Sequence, residues 1–112
     1  MELKLRKLQD IYVIDVIGEL DMYNTSKLMD LFMKMVDKNV SRIIVNLDGV
    51  HYLDSSGVGT LISIYSTVQQ KDIKFCLANV HSTARKVMEL TRLTGYFPIE
   101  ETIEAAIGRV NS

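Results

Sequence analysis

Leu3-Lys4-Leu5-Arg6-Lys7-Leu8 alternates apolar and polar side chains with period two, which predicts a β-strand. Gln9-Asp10 breaks the run, and Ile11 to Ile17 resumes it with β-branched residues that favour a second strand. The short break predicts an antiparallel hairpin, so the chain opens with an edge strand. Gly18 to Tyr23 reads as a loop, and Asn24 as the cap whose side chain accepts from the first N–H groups of a helix. From Thr25 to about Lys38 the pattern turns helical. Leu28, Leu31, Phe32 and Met35 recur at i, i+3, i+4 and i+7, and Asn39 closes the helix. Met29, Met33 and Val36 form a second stripe beside them, read as a broad core face.

Arg42 to Leu47 is a near-continuous apolar run broken only by Arg42 and Asn46, which predicts a strand buried on both faces. Asp48 to Asp54 reads as a connector. A second helix starts at Ser55 or Ser56 and runs to about Lys71, with Val58, Leu61, Ile62 and Tyr65 inward and Val68 or Gln69 extending the stripe. Ile64 falls outside that stripe and is expected at the surface beside Thr60. Ile73 to Ala78 is a fourth strand. Ser82 caps a third helix through about Arg92. Phe97-Pro98-Ile99 is a short extended piece, and a last helix begins at Glu100 or Glu101, its acidic residues at the positive end of the dipole. Strands alternating with helices predict an α/β fold: a mixed, mostly parallel sheet with an antiparallel N-terminal edge strand and about four helices.

Length and charge narrow the function. The 112 residues fit one domain spanning 1–112. No run of about 18 apolar residues predicts a membrane span, and the N-terminus lacks the apolar region of a signal peptide, so a cytoplasmic protein without membrane attachment is expected. A net charge of −1 and scattered lysines and arginines argue against nucleic acid as partner. The single cysteine, Cys76, excludes an internal disulfide and reads as a small buried hydrophobe. His51 and His81 lie in connectors far apart, and neither is assigned as ligand or base. No metal, cofactor or catalytic residue is expected, and a monomer is the default.

In open α/β sheets, sites form beyond the carboxyl ends of the parallel strands. Two segments qualify here: Gly18 to Asn24, and Leu53-Asp54-Ser55-Ser56-Gly57-Val58-Gly59. If their strands are neighbours, Glu19, Asp21, Asp54, Ser55, Ser56 and Gly57 share one small surface.

The Asp54-Ser55-Ser56-Gly57-Val58-Gly59 segment resembles the signature of anti-sigma factor antagonists, whose domain is of the STAS type. Gly18-Glu19-Leu20-Asp21 is similar to the family's other signature, in the same place before the first helix. Asn24 departs from the threonine that many members carry. The resemblance implies a regulatory protein, not an enzyme. Unphosphorylated, such a protein binds an anti-sigma factor that is also an ATP-dependent serine kinase, and so frees a sigma factor. The kinase phosphorylates the serine after the aspartate, here Ser55, which breaks the complex, and a phosphoserine phosphatase resets it. The expected partner-binding face comprises Asp21, Tyr23, Asn24, Asp54, Ser55, Ser56, Gly57 and Thr60. Asp54 then supports the serine's position or the kinase reaction; read without the resemblance, Ser55-Ser56 is only a helix-capping pair and Asp54 only caps the turn.

Three other readings compete. A phosphoaspartate receiver would use Asp54, but it needs an acidic doublet after its first strand and a lysine after its last. A serine hydrolase needs Gly-x-Ser-x-Gly, which Asp54-Ser55-Ser56-Gly57 does not supply. A STAS module in a larger assembly, or one that senses a small ligand, would share the same serine motif.

Overall fold

The computed structural model describes residues 1–112. Five strands, β1 (Glu2–Leu8), β2 (Ile11–Leu20), β3 (Arg42–Leu53), β4 (Lys74–Ala78) and β5 (Ile99–Glu100), form one sheet in the order β1-β2-β3-β4-β5. β1 pairs antiparallel with β2; every other pairing is parallel. The hairpin closes through Gln9, whose φ of 58° lies in the left-handed region. Four helices complete the chain: α1 (Thr25–Asp37), α2 (Ser55–Gln70), α3 (Ser82–Leu90) and α4 (Ile103–Val110). None is long and apolar enough to cross a membrane.

The alternation of side chains along each strand divides the core in two. Ile14, Val16, Ile43, Val45 and Leu77 face α1, α2 and α3, meeting Leu28, Phe32, Leu61, Ile64 and Met88. Ile11, Val13, Ile44, Cys76 and Ala78 point to the other side, where α4 covers them with Ala106 and Val110. Each fully buried Leu, Ile or Phe contributes roughly 1.5–3 kcal/mol relative to exposure, so the larger cluster carries most of the stability. Beyond α4 the second face turns polar. Asp15 accepts two bonds from Arg6, at 2.7 and 2.9 Å, and one from Asn46 Nδ2 at 2.8 Å. Asn46 Oδ1 in turn accepts from Asn79 Nδ2 at 2.9 Å and from the Asp48 N–H at 3.1 Å. A hydrogen-bonded chain thus crosses β1, β2 and β3 and reaches the residue after β4.

Several expectations need correction. β2 continues to Leu20 and β3 to Leu53, where loops were expected from Gly18 and Asp48. Two register shifts explain the length of β3. Asp15 pairs with Asn46 and Ile17 with Gly49; Gly18 pairs with Val50 and Glu19 with Tyr52. At each step β3 advances one residue more than β2, which marks a bulge. Gly18 sits at the second one with φ of +109°, a conformation that favours glycine.

Ile64 is fully buried, not exposed; the inward face of α2 is Gly57, Leu61, Ile64 and Val68 with Val58 at its edge, while Ile62 and Tyr65 are only half-buried. On α1 the second stripe divides, with Val36 buried and Met33 exposed. Ser82 is no cap: it is the first residue of α3, with φ of 54°. His81 Nε2 lies 2.8 Å from the Asp48 carbonyl and its Nδ1 lies 2.9 Å from Ser82 Oγ. A carbonyl only accepts, so Nε2 carries a proton, and in the neutral ring the Ser82 hydroxyl then donates to Nδ1. Glu100 belongs to β5, and the hydroxyl of Thr102 caps α4 by accepting from the Ala105 N–H at 3.0 Å.

Candidate functional site

β2 and β3 are parallel neighbours, and Leu20 pairs with Leu53 at their last rung. The segments that follow therefore leave the sheet side by side, and the two singled-out motifs meet.

Asp54 is the joint between them. Its backbone is extended, with φ −105° and ψ −174°, so its carboxylate turns back over the start of α2. Oδ1 accepts from the Gly57 N–H at 2.9 Å, an N-cap bond to one of the first-turn donors that have no carbonyl of their own. Oδ2 accepts from the Met22 N–H at 3.3 Å, across the gap to the other motif. The Asp54 N–H donates to the Leu20 carbonyl at 3.4 Å, and the Asp54 carbonyl accepts from Val58 N–H at 3.0 Å. One residue thus closes the sheet, starts α2 and holds the turn before α1.

That turn is braced from within. Asp21 Oδ1 accepts from the Tyr23 N–H at 3.0 Å, and the Asp21 carbonyl accepts from the N–H groups of Asn24 and Thr25 at 3.1 and 3.0 Å. Asn24 occupies the N-cap position of α1, but its side chain does not cap the helix. It reaches backward, and its Oδ1 accepts from the Asp21 N–H at 3.0 Å. The expected cap is corrected accordingly. The Asp21 N–H, left over where β2 ends, takes that oxygen instead. The braced turn presents Met22 and Tyr23 outward, 64% and 84% exposed.

Ser55 is the first residue of α2 and is exposed. Ser56 is half-buried. Thr60, one turn on, donates its hydroxyl to the Ser56 carbonyl at 3.0 Å, so it is tied to its own helix. Gly57 is buried against Leu20 and Leu53, which brings the helix start down onto the strand ends. All eight singled-out residues, Asp21, Tyr23, Asn24, Asp54, Ser55, Ser56, Gly57 and Thr60, therefore lie along one end of the molecule. Met22 joins them. It is not among the residues singled out from the sequence, although the Met22-Tyr23 pair between two turn formers, Asp21 and Asn24, is a signal for an exposed tip.

Electrostatically this end is acidic. The ion pairs of the chain lie elsewhere, on Glu2, Asp10, Asp15 and Glu100. Glu19, Asp21 and Asp54 belong to none of them, and they do not converge into a metal-ligating group. The N-terminal end of α2 supplies a local positive potential beneath Ser55. An exposed hydroxyl there can carry a dianionic group without disturbing the core, because the helix end favours negative charge.

The chain is 29% identical over 93 residues to an anti-sigma-B factor antagonist of Staphylococcus aureus, a match covering 83% of this chain and 86% of that protein. Its fold superposes on that of an anti-sigma factor antagonist from Mycobacterium paratuberculosis with a TM-score of 0.89 at 22% identity, covering 99% and 94% of the two chains. The Bacillus cell fate determinant SpoIIAA in its phosphorylated form superposes with a TM-score of 0.74 at 27% identity, covering 97% and 99%. The family model of the STAS domain matches residues 2–106. With nearly its whole length inside that match, the chain belongs to the STAS domain family.

Proposed function

We propose that this chain is an anti-sigma factor antagonist whose affinity for its partner is set by phosphorylation of Ser55. The observation that carries the reading is the placement of Ser55. It is exposed, first in α2, and set in a face that β2, β3 and the turn before α1 build together. Two similarities support it: the S. aureus relative is named an anti-sigma-B factor antagonist, and SpoIIAA has been captured phosphorylated.

In this reading the unphosphorylated face, from Asp21, Tyr23 and Asn24 across to Asp54, Ser55, Ser56, Gly57 and Thr60, docks on an anti-sigma factor that is also a serine kinase. The sigma factor is then released. The kinase transfers the terminal phosphoryl group of ATP to Ser55 Oγ; the hydroxyl proton leaves and ADP departs. The added group, about −1.5 to −2 in charge, ends the contact through its charge and bulk, and a phosphatase restores the hydroxyl. The protein acts in the cytoplasm as a monomer of one domain, without nucleic acid, membrane, metal or cofactor.

The test is an intact mass after incubation with ATP, magnesium and the soluble extract of the host, with Ser55→Ala alongside. One phosphate on Ser55, absent from the variant, is the expected result. No phosphate in an extract with proven kinase activity would overturn the switch and favour a STAS module regulated otherwise. Phosphate on Asp54 would mean a receiver.

A further inference from the structure

The two oxygens of Asp54 hold different elements, and the two bonds are unequal. Oδ1 caps α2 through Gly57 at 2.9 Å, while Oδ2 reaches Met22 at 3.3 Å. Asp21 and Asn24 brace the Met22–Tyr23 turn internally, so its backbone moves as a unit. Its side-chain link to the start of α2 is the longer Asp54 bond.

We infer that Asp54 is a positioning residue that transmits the covalent state of Ser55 to the Met22–Tyr23 tip. The inference rests on the phosphorylation reading above and adds a route inside the chain. A phosphate on Ser55 and the carboxylate of Asp54 are neighbours in sequence and are both anions at one helix end. They repel each other and compete for the same few N–H groups. The dianion is the stronger acceptor there, so the carboxylate turns away and its longer bond, to Met22, is lost first. The tip, with its two exposed apolar side chains, is then no longer held in register with α2. The core is untouched, because none of the groups involved belongs to it. Charge and bulk act on the partner directly; Asp54 removes the shape the partner would dock against.

Phosphoserine is installed at position 55 during translation, with no kinase needed, and amide exchange is followed by NMR on the nitrogen-labelled full chain. The Met22 N–H is expected to exchange about tenfold faster in the phosphorylated protein, a local opening confined to the turn. The Gly57 N–H stays protected, since one anion or the other still caps it. In Asp54→Ala the Met22 N–H is expected to exchange fast whether or not Ser55 is phosphorylated. An unchanged Met22 rate in the phosphorylated native sequence overturns the inference, and that arm does not depend on how well the alanine variant folds. A further acceleration on phosphorylating Asp54→Ala overturns it as well, because the signal would bypass Asp54. The result separates from the fate of the functional reading. A kinase that modifies Ser55 while Met22 stays protected leaves the switch standing without this route. A responsive Met22 with no kinase in the extract leaves the route standing without the switch.

Discussion

Gly57 touches the backbone of Leu20. A Cβ at Gly57 would lie 2.4 Å from the Leu20 carbonyl oxygen and 2.5 Å from Leu53 Cδ1. A carbonyl in a sheet cannot retreat as a flexible side chain can. Gly57→Ala is therefore expected to push α2 off the strand ends and to destabilise the protein by about 1–3 kcal/mol. Gly59, two residues on, has nothing within 4 Å of its Cβ position. Gly59→Ala is expected to stabilise by about 0.5–1 kcal/mol, because alanine restricts the unfolded chain and favours the helix. Urea melts of both variants check the contrast; equal stability for the two would mean that α2 stands clear of Leu20.

Ile64 offers a second test of how α2 is seated. It is fully buried, whereas Ile62 is half-buried. Ile64→Ala is expected to cost about 2–5 kcal/mol, the range for large-to-small core changes, and Ile62→Ala much less. Comparable losses at both positions would mean that the helix is rotated from the orientation described.

Asn46 is the middle of the polar chain on the second sheet face. Its amide donates to Asp15 and accepts from Asn79 and the Asp48 N–H, which fixes its orientation. Asn46→Ala strands partners on three sides, and a loss of about 1–3 kcal/mol is expected in a denaturant melt. A neutral substitution would show that water replaces the amide without penalty.

Burial pushes the Cys76 thiol up from 9.0 to about 11, with the nearby Glu100 carboxylate adding to the rise and Arg109 opposing it. The folded state therefore holds this proton more tightly than the unfolded chain. The stabilisation is complete below the unfolded pKa and falls as pH rises from about 9 to about 11, by about 1.4 kcal/mol per pH unit. Stability of the native sequence and of Cys76→Ala, measured across that window, should differ in slope by this amount. Parallel curves would place the thiol in contact with water. The native thiol is likewise expected to resist alkylation at pH 8 until the protein unfolds.

Much of the architecture could be read from periodicity. The hairpin, the order of elements and the meeting of the two motif segments all follow from alternation, helical spacing and the adjacency of consecutive strands. The far half of β3 could not be read that way, because period two fails there. Leu47, Val50 and Leu53 point into the same core but are spaced by three, each gap absorbing the extra residue of a bulge. That spacing of three is the signal a bulged strand leaves. The face of α2 was misjudged for a related reason. Its inward stripe begins at Gly57, and a glycine shows no hydrophobicity, so the apolar pattern starts one residue late at Val58 and leaves Ile64 outside it. At the site, Asp54 and Asn24 were visible as candidate residues. Their division of labour was not, because it depends on which free N–H each oxygen meets once β2 and β3 have ended on the same rung.

The continuation of β3 to its last residue before Asp54 bears on the modification proposed for Ser55. An enzyme that modifies serines in pliable peptides draws the acceptor into an extended cleft. Ser55 cannot be drawn out so. Ladder bonds hold the residues before it, a helix claims those after it, and Asp54 is fastened to both Leu20 and Gly57. A modifying enzyme must therefore recognise the intact surface, and the residues flanking Ser55 in sequence would count for less than those brought beside it by folding. A linear peptide carrying the Asp54–Gly59 motif would be a poor acceptor beside the folded chain, and any mutation that loosens the joint would change the rate of modification without touching the serine itself.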